Sequence, residues 1–336
     1  MDYYVKYNKY KKKYINLKNQ IGGQLFKDTN NYLFFLEKNQ PLIDKMKISV
    51  EKNTYIQLED IDLICPHIEF KNFKIINKFN GSNIVYQVEI DKETSYITDN
   101  IYLDGNIDTL ALKICDLDNS TCTFHIYKEI DAIIKFSKLV VNKICNSYML
   151  FLGFTNNCCI NIAKDSNIEN KNDIDICCTE SILITNFIKD SEHIRDIDDR
   201  QLFEYLYCII CCIANYNIVI GDQHSDNYLS YNDTSGIIYE IFDSKIYFNT
   251  TKAICIIDYQ SINEPIQCDE SKYNITKECL FIKSYCKNPD TLEKLTKQLE
   301  IGTIEELLNS LITNFIKYNY VDAEPEIKTF KYAVLP

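Results

Sequence analysis

The feature that most constrains the fold is an apolar run, YLYCIICCIA, at residues 205–214. It is the most apolar stretch of the sequence, yet it has about half the length that a helix needs to span a bilayer. These residues therefore belong in a protein core, within the helical segment RQLFEYLYCIICCIANYN. The 336 residues, with 46% apolar and 25% charged side chains, are enough for two globular lobes of ordinary size.

The charge of the chain is unevenly distributed. The net charge is -12, which disfavours a role in coating nucleic acid because the phosphate backbone would be repelled. Residues 1–23 nevertheless contain six Lys and one Asp, and an apolar stripe of Tyr and Leu recurs there at helical spacing. We interpret 1–23 as a helix that packs on its own acidic body, or as a frayed tail. The alternatives are docking on an acidic partner or a membrane surface, with the body only displaying this segment.

The fifteen cysteines indicate a reducing compartment. Their number is odd, and no secretory signal peptide opens the chain, so we expect a cytoplasmic protein without stable membrane insertion. Cys208 and Cys211 form a C-x-x-C, but no second Cys or His pair follows at zinc spacing. We therefore favour a helix core over a metal site for these two residues.

The distribution of patterns along the chain predicts an α+β protein. Residues 24–69 are an N-terminal extension with a helical candidate that breaks at Pro41. Residues 70–186 are β-rich, with a hairpin around Gly81 and one helix of about twenty residues. Residues 187–336 are mainly helical, with an additional hairpin in IIYEIFDSKIYF.

Lys113 lies in a strand-like segment, LALKIC, whose side chains alternate between two faces. Ala111, Lys113 and Cys115 share one face, where a flat base could lie on Ala111 while the ammonium group reaches phosphate oxygens. Glu129, in the long helix that follows, could hold the lysine by an ion pair. The alternatives are a solvated lysine and a solvated helix face.

Two further segments carry oxygen-bearing side chains. Phosphoryl transfer needs a carboxylate that orients a hydroxyl and accepts its proton, and an oxygen ligand for Mg²⁺. The loop GDQHSDN places Asp222 and Asn227 five residues apart, although such residues are also common in ordinary turns. Asp258 ends the apolar strand AICII. An ionised carboxylate there is costly unless it has a partner such as Mg²⁺. The alternative interpretation is that Asp258 is an ordinary turn residue at the end of a strand.

Taken in order, these features resemble the protein-kinase-like superfamily, and GDQHSDN is closest to the G-D-x-H-x-x-N loop of small-molecule and atypical kinases. The resemblance covers residues from about 70 to about 300. The abundance of Asn, Ile, Lys and Tyr and the opening KYKKKYINLKNQIGG also resemble kinase-like proteins of mimivirus-type giant DNA viruses. For such a protein, the cytoplasm would be that of the host, or the protein would reside in the virion.

The resemblance implies a bilobal protein-kinase-like fold. Residues 70–186 would form a β-rich N-lobe with one long helix, and residues 187–336 a mainly helical C-lobe. ATP and Mg²⁺ would be the cofactors, and the linker near Thr185 to Phe187 would hydrogen-bond adenine. The resemblance assigns nucleotide binding to Gly81, Ala111, Lys113, Glu129, Thr185 and Phe187, catalysis to Asp222, and Mg²⁺ binding to Asn227 and Asp258.

The chain departs from typical protein kinases at several of these motifs. Gly81 is the one clear glycine of the phosphate loop, and Tyr259-Gln260 replace Phe-Gly after Asp258. Ile220 and Gly221 replace His-Arg, and no Ala-Pro-Glu follows. These departures argue against regulation by activation-loop phosphorylation.

Two functions of different classes follow from the sequence. The leading prediction is an ATP- and Mg²⁺-dependent phosphotransferase that acts on a hydroxyl of a protein or a small molecule. The alternative is a pseudokinase scaffold, which binds a partner, with or without nucleotide, and catalyses no phosphate transfer.

Overall fold

A computed structural model describes residues 29–51, 73–80, 84–90, 109–116, 120–155, 160–161, 175–176, 180–221, 223–233, 236–248, 252–259, 261–269, 271–286, 299, 301–315 and 328–336. The predicted basic segment 1–23, Gly81 and Asp222 lie outside these residues. The helices are α1 (Thr29–Glu51), α2 (Ser120–Val141), α3 (Asp199–Tyr216), α4 (Thr276–Lys283) and α5 (Ile304–Asn314). The strands are β1 (Phe73–Asn80), β2 (Ile84–Ile90), β3 (Thr109–Asp116), β4 (Phe151–Thr155), β5 (Ile160–Asn161), β6 (Asp175–Ile176), β7 (Glu180–Asn186), β8 (Glu192–His193), β9 (Val219–Ile220), β10 (Tyr228–Asn232), β11 (Ile237–Ile241), β12 (Ser244–Phe248), β13 (Lys252–Ile256), β14 (Ile262–Asn263), β15 (Ile266–Gln267), β16 (Tyr273–Asn274), β17 (Ile301–Gly302) and β18 (Lys328–Lys331).

The fold is mixed α+β, as the sequence predicts, and it divides into two compact units. The first contains the described residues up to Cys122 together with Leu152–Phe187. The second contains Thr123–Phe151 and Ile188–Pro336, so most of α2 belongs to it. In the described part of 187–336, strands β8–β18 accompany three helices, so this segment is mixed rather than mainly helical.

The first unit is built on a five-stranded sheet with the order β1-β2-β3-β7-β4. The predicted hairpin is confirmed, because β1 pairs antiparallel with β2 from Phe73 opposite Ile90 to Asn80 opposite Ile84. Strand β3 runs antiparallel to both β2 and β7. Leu110 and Leu112 are buried on one face of β3, and Ala111 and Lys113 lie on the other, as the alternation predicts.

Helix α1 runs through Pro41, so the predicted break at this proline is wrong. A proline in a helix interior costs about 3 kcal/mol because its N–H is missing and its ring meets the preceding turn. Tyr32, Phe35, Leu36 and Ile43 are buried at helical spacing on both sides of it. Burial of such side chains is worth about 1.5–3 kcal/mol each, and together they outweigh the cost of the proline.

The second unit has α3 at its core, and the predicted helix is confirmed. Asp198 begins it with a reciprocal cap, since its carboxylate accepts from Gln201 N at 2.9 Å and its own N–H donates to Gln201 Oε1 at 3.2 Å. Asn217 ends it in the left-handed conformation. Every residue from Arg200 to Ile213 is buried.

The C-x-x-C lies within this buried stretch. Cys208 and Cys211 have no exposed surface, and both are free thiols. Burial raises the pKa of the Cys211 thiol well above its usual value. Among the described residues, no group of three or more His, Cys, Asp or Glu side chains is arranged to hold a metal ion. The helix-core interpretation of these cysteines therefore fits the structure.

Small sheets surround α3 in the second unit. One has the order β13-β10-β8, and another has the order β12-β11-β18. The predicted additional hairpin is confirmed as β11 and β12, which pair antiparallel from Ile237 opposite Phe248.

Within the described part of the chain, no helix combines the length and apolarity needed to cross a membrane.

Candidate functional site

The polar loop after α3 is attached at its start to the segment that follows Asp258. Strand β9 pairs with β14, with Ile220 opposite Ile262. Gly221 N donates to Ser261 O at 2.6 Å. A side chain at position 221 would overlap the Asn263 side-chain amide and meet the Ser261 hydroxyl at 2.7 Å, so a glycine fits this close approach.

The end of the same loop is attached to the strand that leads to Asp258. Strands β10 and β13 form an antiparallel ribbon, with Tyr228 opposite Ile256. One residue beyond that pair, Ile257 N donates to Asn227 O at 3.0 Å. Asn227 and Asp258 thus lie at the same end of one ribbon, although 31 positions separate them in the sequence. Asn227 is buried, and Asp258 is partly exposed.

The outer edge of β13 is also held by hydrogen bonds. Ile254 N donates to Glu204 Oε2 at 3.2 Å, and Ile256 N donates to Ser147 O at 2.8 Å. Because Ile257 N bonds to the opposite side, the backbone just before Asp258 is fixed from both directions. Such fixed backbone limits the positions open to the carboxylate.

Tyr259 anchors the chain immediately after Asp258. Its ring is fully buried and meets Phe136 of α2 edge-on, with 5.1 Å between ring centroids. Its hydroxyl accepts from Met149 N at 3.0 Å and donates to Ile256 O. Burial raises the pKa of Tyr259 well above its usual value. Glu129 is buried on α2, and three predicted site residues, Glu129, Asn227 and Asp258, lie in the second unit.

Removing the Tyr259 hydroxyl should weaken this anchor. We expect Tyr259→Phe to lower the free energy of unfolding by about 1–3 kcal/mol, because the buried Met149 N–H would lose its acceptor. Urea denaturation measures the loss. Tyr148→Phe is the matched control: its ring is equally buried, but among the described residues its hydroxyl is hydrogen-bonded only to the weakly bonding Cys212 thiol, at 2.8 Å. An equal loss in both variants would contradict the anchoring role.

The predicted nucleotide-binding residues Ala111, Lys113, Thr185 and Phe187 lie in the first unit. Ala111 is directly opposite Thr185 in the β3–β7 pair, and Lys113 is partly exposed two residues further along β3. The Thr185 hydroxyl donates to Asn186 O at 3.3 Å, and Phe187 N donates to Thr109 O at 3.2 Å. The pairing of Lys113 with Glu129, and the roles of Gly81 and Asp222, stay predictions.

A buried charge network that the sequence analysis missed supports the ribbon. Arg200 has no exposed surface; its Nε donates to Glu204 Oε1 at 2.9 Å and its Nη2 to Asp233 Oδ2 at 2.6 Å. Although burial opposes ionisation, the carboxylates of Glu204 and Asp233 raise the pKa of the Arg200 guanidinium. Lys328 adds a second cation, 3.6 Å from Asp233 Oδ1.

One sequence signal could have revealed part of this network. Arg200 and Glu204 are four residues apart, which places them on one helix face, and they stand beside the most apolar run of the chain. A charged pair in such a position has to be compensated internally. Their partners Asp233 and Lys328 carry no comparable signal, because neither lies in an apolar segment that would require compensation.

Asn227 and Asp258 are the side chains best suited to hold a metal in this site. An amide oxygen and a carboxylate at one end of a ribbon fit Mg²⁺, which binds oxygen and usually takes only one or two carboxylates from the protein. The remaining positions of its octahedron are filled by water and by substrate phosphates. The donor set is therefore compatible with a Mg²⁺–nucleotide complex.

No protein-family model matches the chain, and no curated protein matches it.

Proposed function

We propose that the protein is an ATP- and Mg²⁺-dependent phosphotransferase of the protein-kinase-like superfamily that phosphorylates a hydroxyl group. The observation that supports this most directly is that Asn227 and Asp258 lie at the same end of the β10–β13 ribbon, where Ile257 N, one residue before Asp258, donates to Asn227 O at 3.0 Å. Surrounding hydrogen bonds orient the side chains that bind a metal ion, and the fixed backbone on either side of Asp258 would support such an orientation.

Each predicted residue has a distinct task in this reaction. Bound Mg²⁺ would neutralise charge on the phosphates, and Asn227 and Asp258 would hold it. Lys113 would hold the α and β phosphates, with Glu129 orienting the lysine. Asp222 would orient the acceptor hydroxyl and take its proton as the new P–O bond forms and ADP leaves. Most of the rate enhancement in such reactions comes from positioning and charge neutralisation.

Thermal unfolding with and without Mg-ATP tests the nucleotide part of this proposal. A ligand at a hundred times its Kd stabilises the folded protein by about 2.7 kcal/mol, which corresponds to about 4 °C in Tm for a chain of this size. We expect that shift at millimolar Mg-ATP, and a smaller one with Mg²⁺ alone. The same protein should transfer phosphate to itself or to a member of a broad acceptor panel.

Two results would contradict the proposal. Binding of Mg-ATP without any phosphate transfer would favour the pseudokinase scaffold. No shift at all would favour a scaffold that does not use nucleotide.

A further inference from the structure

One face of the five-stranded sheet carries two phenylalanines that belong to distant strands. Directly opposed residues of antiparallel strands point to the same face. Phe79 is opposite Val85, and Val85 is opposite Lys113, so Phe79 and Lys113 share a face. Phe187 N donates to Thr109 O, which continues the β3–β7 pairing by one step, and Thr109 is on the Lys113 face as well. Phe79 and Phe187 therefore lie on the face that carries Lys113.

The two rings stack on each other across this face. Their centroids are 6.0 Å apart and their planes differ by 22°. Phe79 keeps 43% of its surface exposed, and Phe187 is also partly exposed, so the pair is not part of the closed core. A flat ring placed between two others needs about 7 Å between them, because carbon atoms in contact are about 3.5–4.0 Å apart. The 6.0 Å joins the centroids of an offset stack, so the two rings have to move apart by about the thickness of one ring, 3.5–4.0 Å, to admit an aromatic base between them.

Two polar groups at this position already have hydrogen-bond partners within the protein. The amide of Phe187 is bonded to Thr109 O, and the hydroxyl of Thr185 is bonded to Asn186 O. The ring of Phe187 remains partly exposed and can contact a ligand. Stacking on a ring depends little on which base is bound, because every base has a π face.

We propose that Phe79 and Phe187 form an aromatic clamp that holds the base of the phosphate donor by stacking, and that the donor site therefore accepts purine nucleoside triphosphates with little preference between adenine and guanine. This inference rests on the proposed phosphotransferase function and extends it to the specificity of the donor. Phe79 is thus a base-binding residue, and Lys113 on the same face serves the phosphates.

Titration of three ligands separates the contribution of the base to the binding affinity from the contribution of the phosphates. Mg-ATP, Mg-GTP and Mg-tripolyphosphate are titrated by calorimetry against wild type, Phe79→Ala, Phe79→Tyr and Phe34→Ala. Removing one stacking ring should weaken both nucleotides by about 5- to 150-fold and leave tripolyphosphate unchanged. Phe79→Tyr should bind like wild type. Phe34→Ala, which removes a ring 60% exposed on α1, is the matched control and should have no effect.

A fluorescence experiment gives an independent reading, because the chain contains no tryptophan. In Phe79→Trp the single indole should be quenched by Mg-ATP and by Mg-GTP but not by tripolyphosphate. In Phe34→Trp it should respond to none of them.

The failures of the two proposals are distinguishable. If wild type binds Mg-ATP and Phe79→Ala binds it equally well, the clamp is overturned while the phosphotransferase proposal stands. If GTP binds more than a hundredfold more weakly than ATP, the inferred base tolerance is overturned. If wild type binds neither nucleotide nor tripolyphosphate, both proposals fall.

Discussion

Arg200→Ala should lower the free energy of unfolding by about 3–5 kcal/mol, because removing one partner of a buried ion pair leaves an uncompensated charge in the core. Glu204 and Asp233 are both buried and both bond to this guanidinium. Glu204 also accepts a hydrogen bond from Ile254 N of β13. If the Glu204 side chain loses its fixed position, the strand that leads to Asp258 loses this hydrogen bond. Equilibrium urea unfolding followed by circular dichroism measures the change.

The chain supplies its own control for this experiment. Arg195, the one other arginine in the sequence, is five residues away and exposed. Arg195→Ala should change stability by less than about 0.5 kcal/mol, as surface substitutions usually do. Arg200→Lys should fall between the two, since it keeps the charge and loses the planar fork that reaches two carboxylates. If Arg200→Ala and Arg195→Ala are equally stable, the network does not support the fold as described.

Asp258→Asn should reduce phosphate transfer by about 100-fold or more, the scale on which enzymes lose activity when one charge-stabilising group is removed. The backbone around position 258 is held by Asn227 O on one side and by the buried ring of Tyr259 on the other. The substitution is nearly isosteric, so the protein should keep its fold and its unfolding midpoint. Initial rates at several Mg²⁺ concentrations should show that the remaining activity requires more metal than wild type does.

Asp226→Asn is the control for the lost charge. The Asp226 side chain is in the same polar loop but is 73% exposed; its carboxylate accepts from the Ser225 hydroxyl at 3.2 Å and lies 4.0 Å from His224 Nδ1. The activity of Asp226→Asn should remain within about twofold of wild type, because water screens an exposed charge and its removal changes the interaction energy little. Equal rates for Asp258→Asn and wild type would remove Asp258 from the site.

Local patterns predicted the parts of the fold that depend on neighbours in sequence. The alternation around Lys113 identified both faces of β3, and the helical spacing of apolar residues located α2 and α3. Pro41 misled the prediction, because a local rule about proline does not include the buried face that spans it.

Contacts between residues that are far apart in the sequence were harder to predict from the sequence. The meeting of Asn227 with the Asp258 strand was expected only through resemblance to a family. The bond from Arg200 to Asp233 joins residues 33 positions apart, and no spacing rule predicts it. The stack of Phe79 on Phe187 likewise requires the strand order of the sheet, which no single segment encodes.

Strand β18 imposes a condition on how the second unit forms. It pairs in parallel with β11, with Lys328 opposite Ile237, so 91 positions of chain separate the two partners. Closing so long a loop is entropically unfavourable until the contacts are made, and proteins dominated by such pairings fold slowly. During synthesis, the β11 edge of the β11–β12 hairpin stays unpaired until residue 331 has been added. In that interval the unpaired edge can form hydrogen bonds with strands of other chains, which favours aggregation.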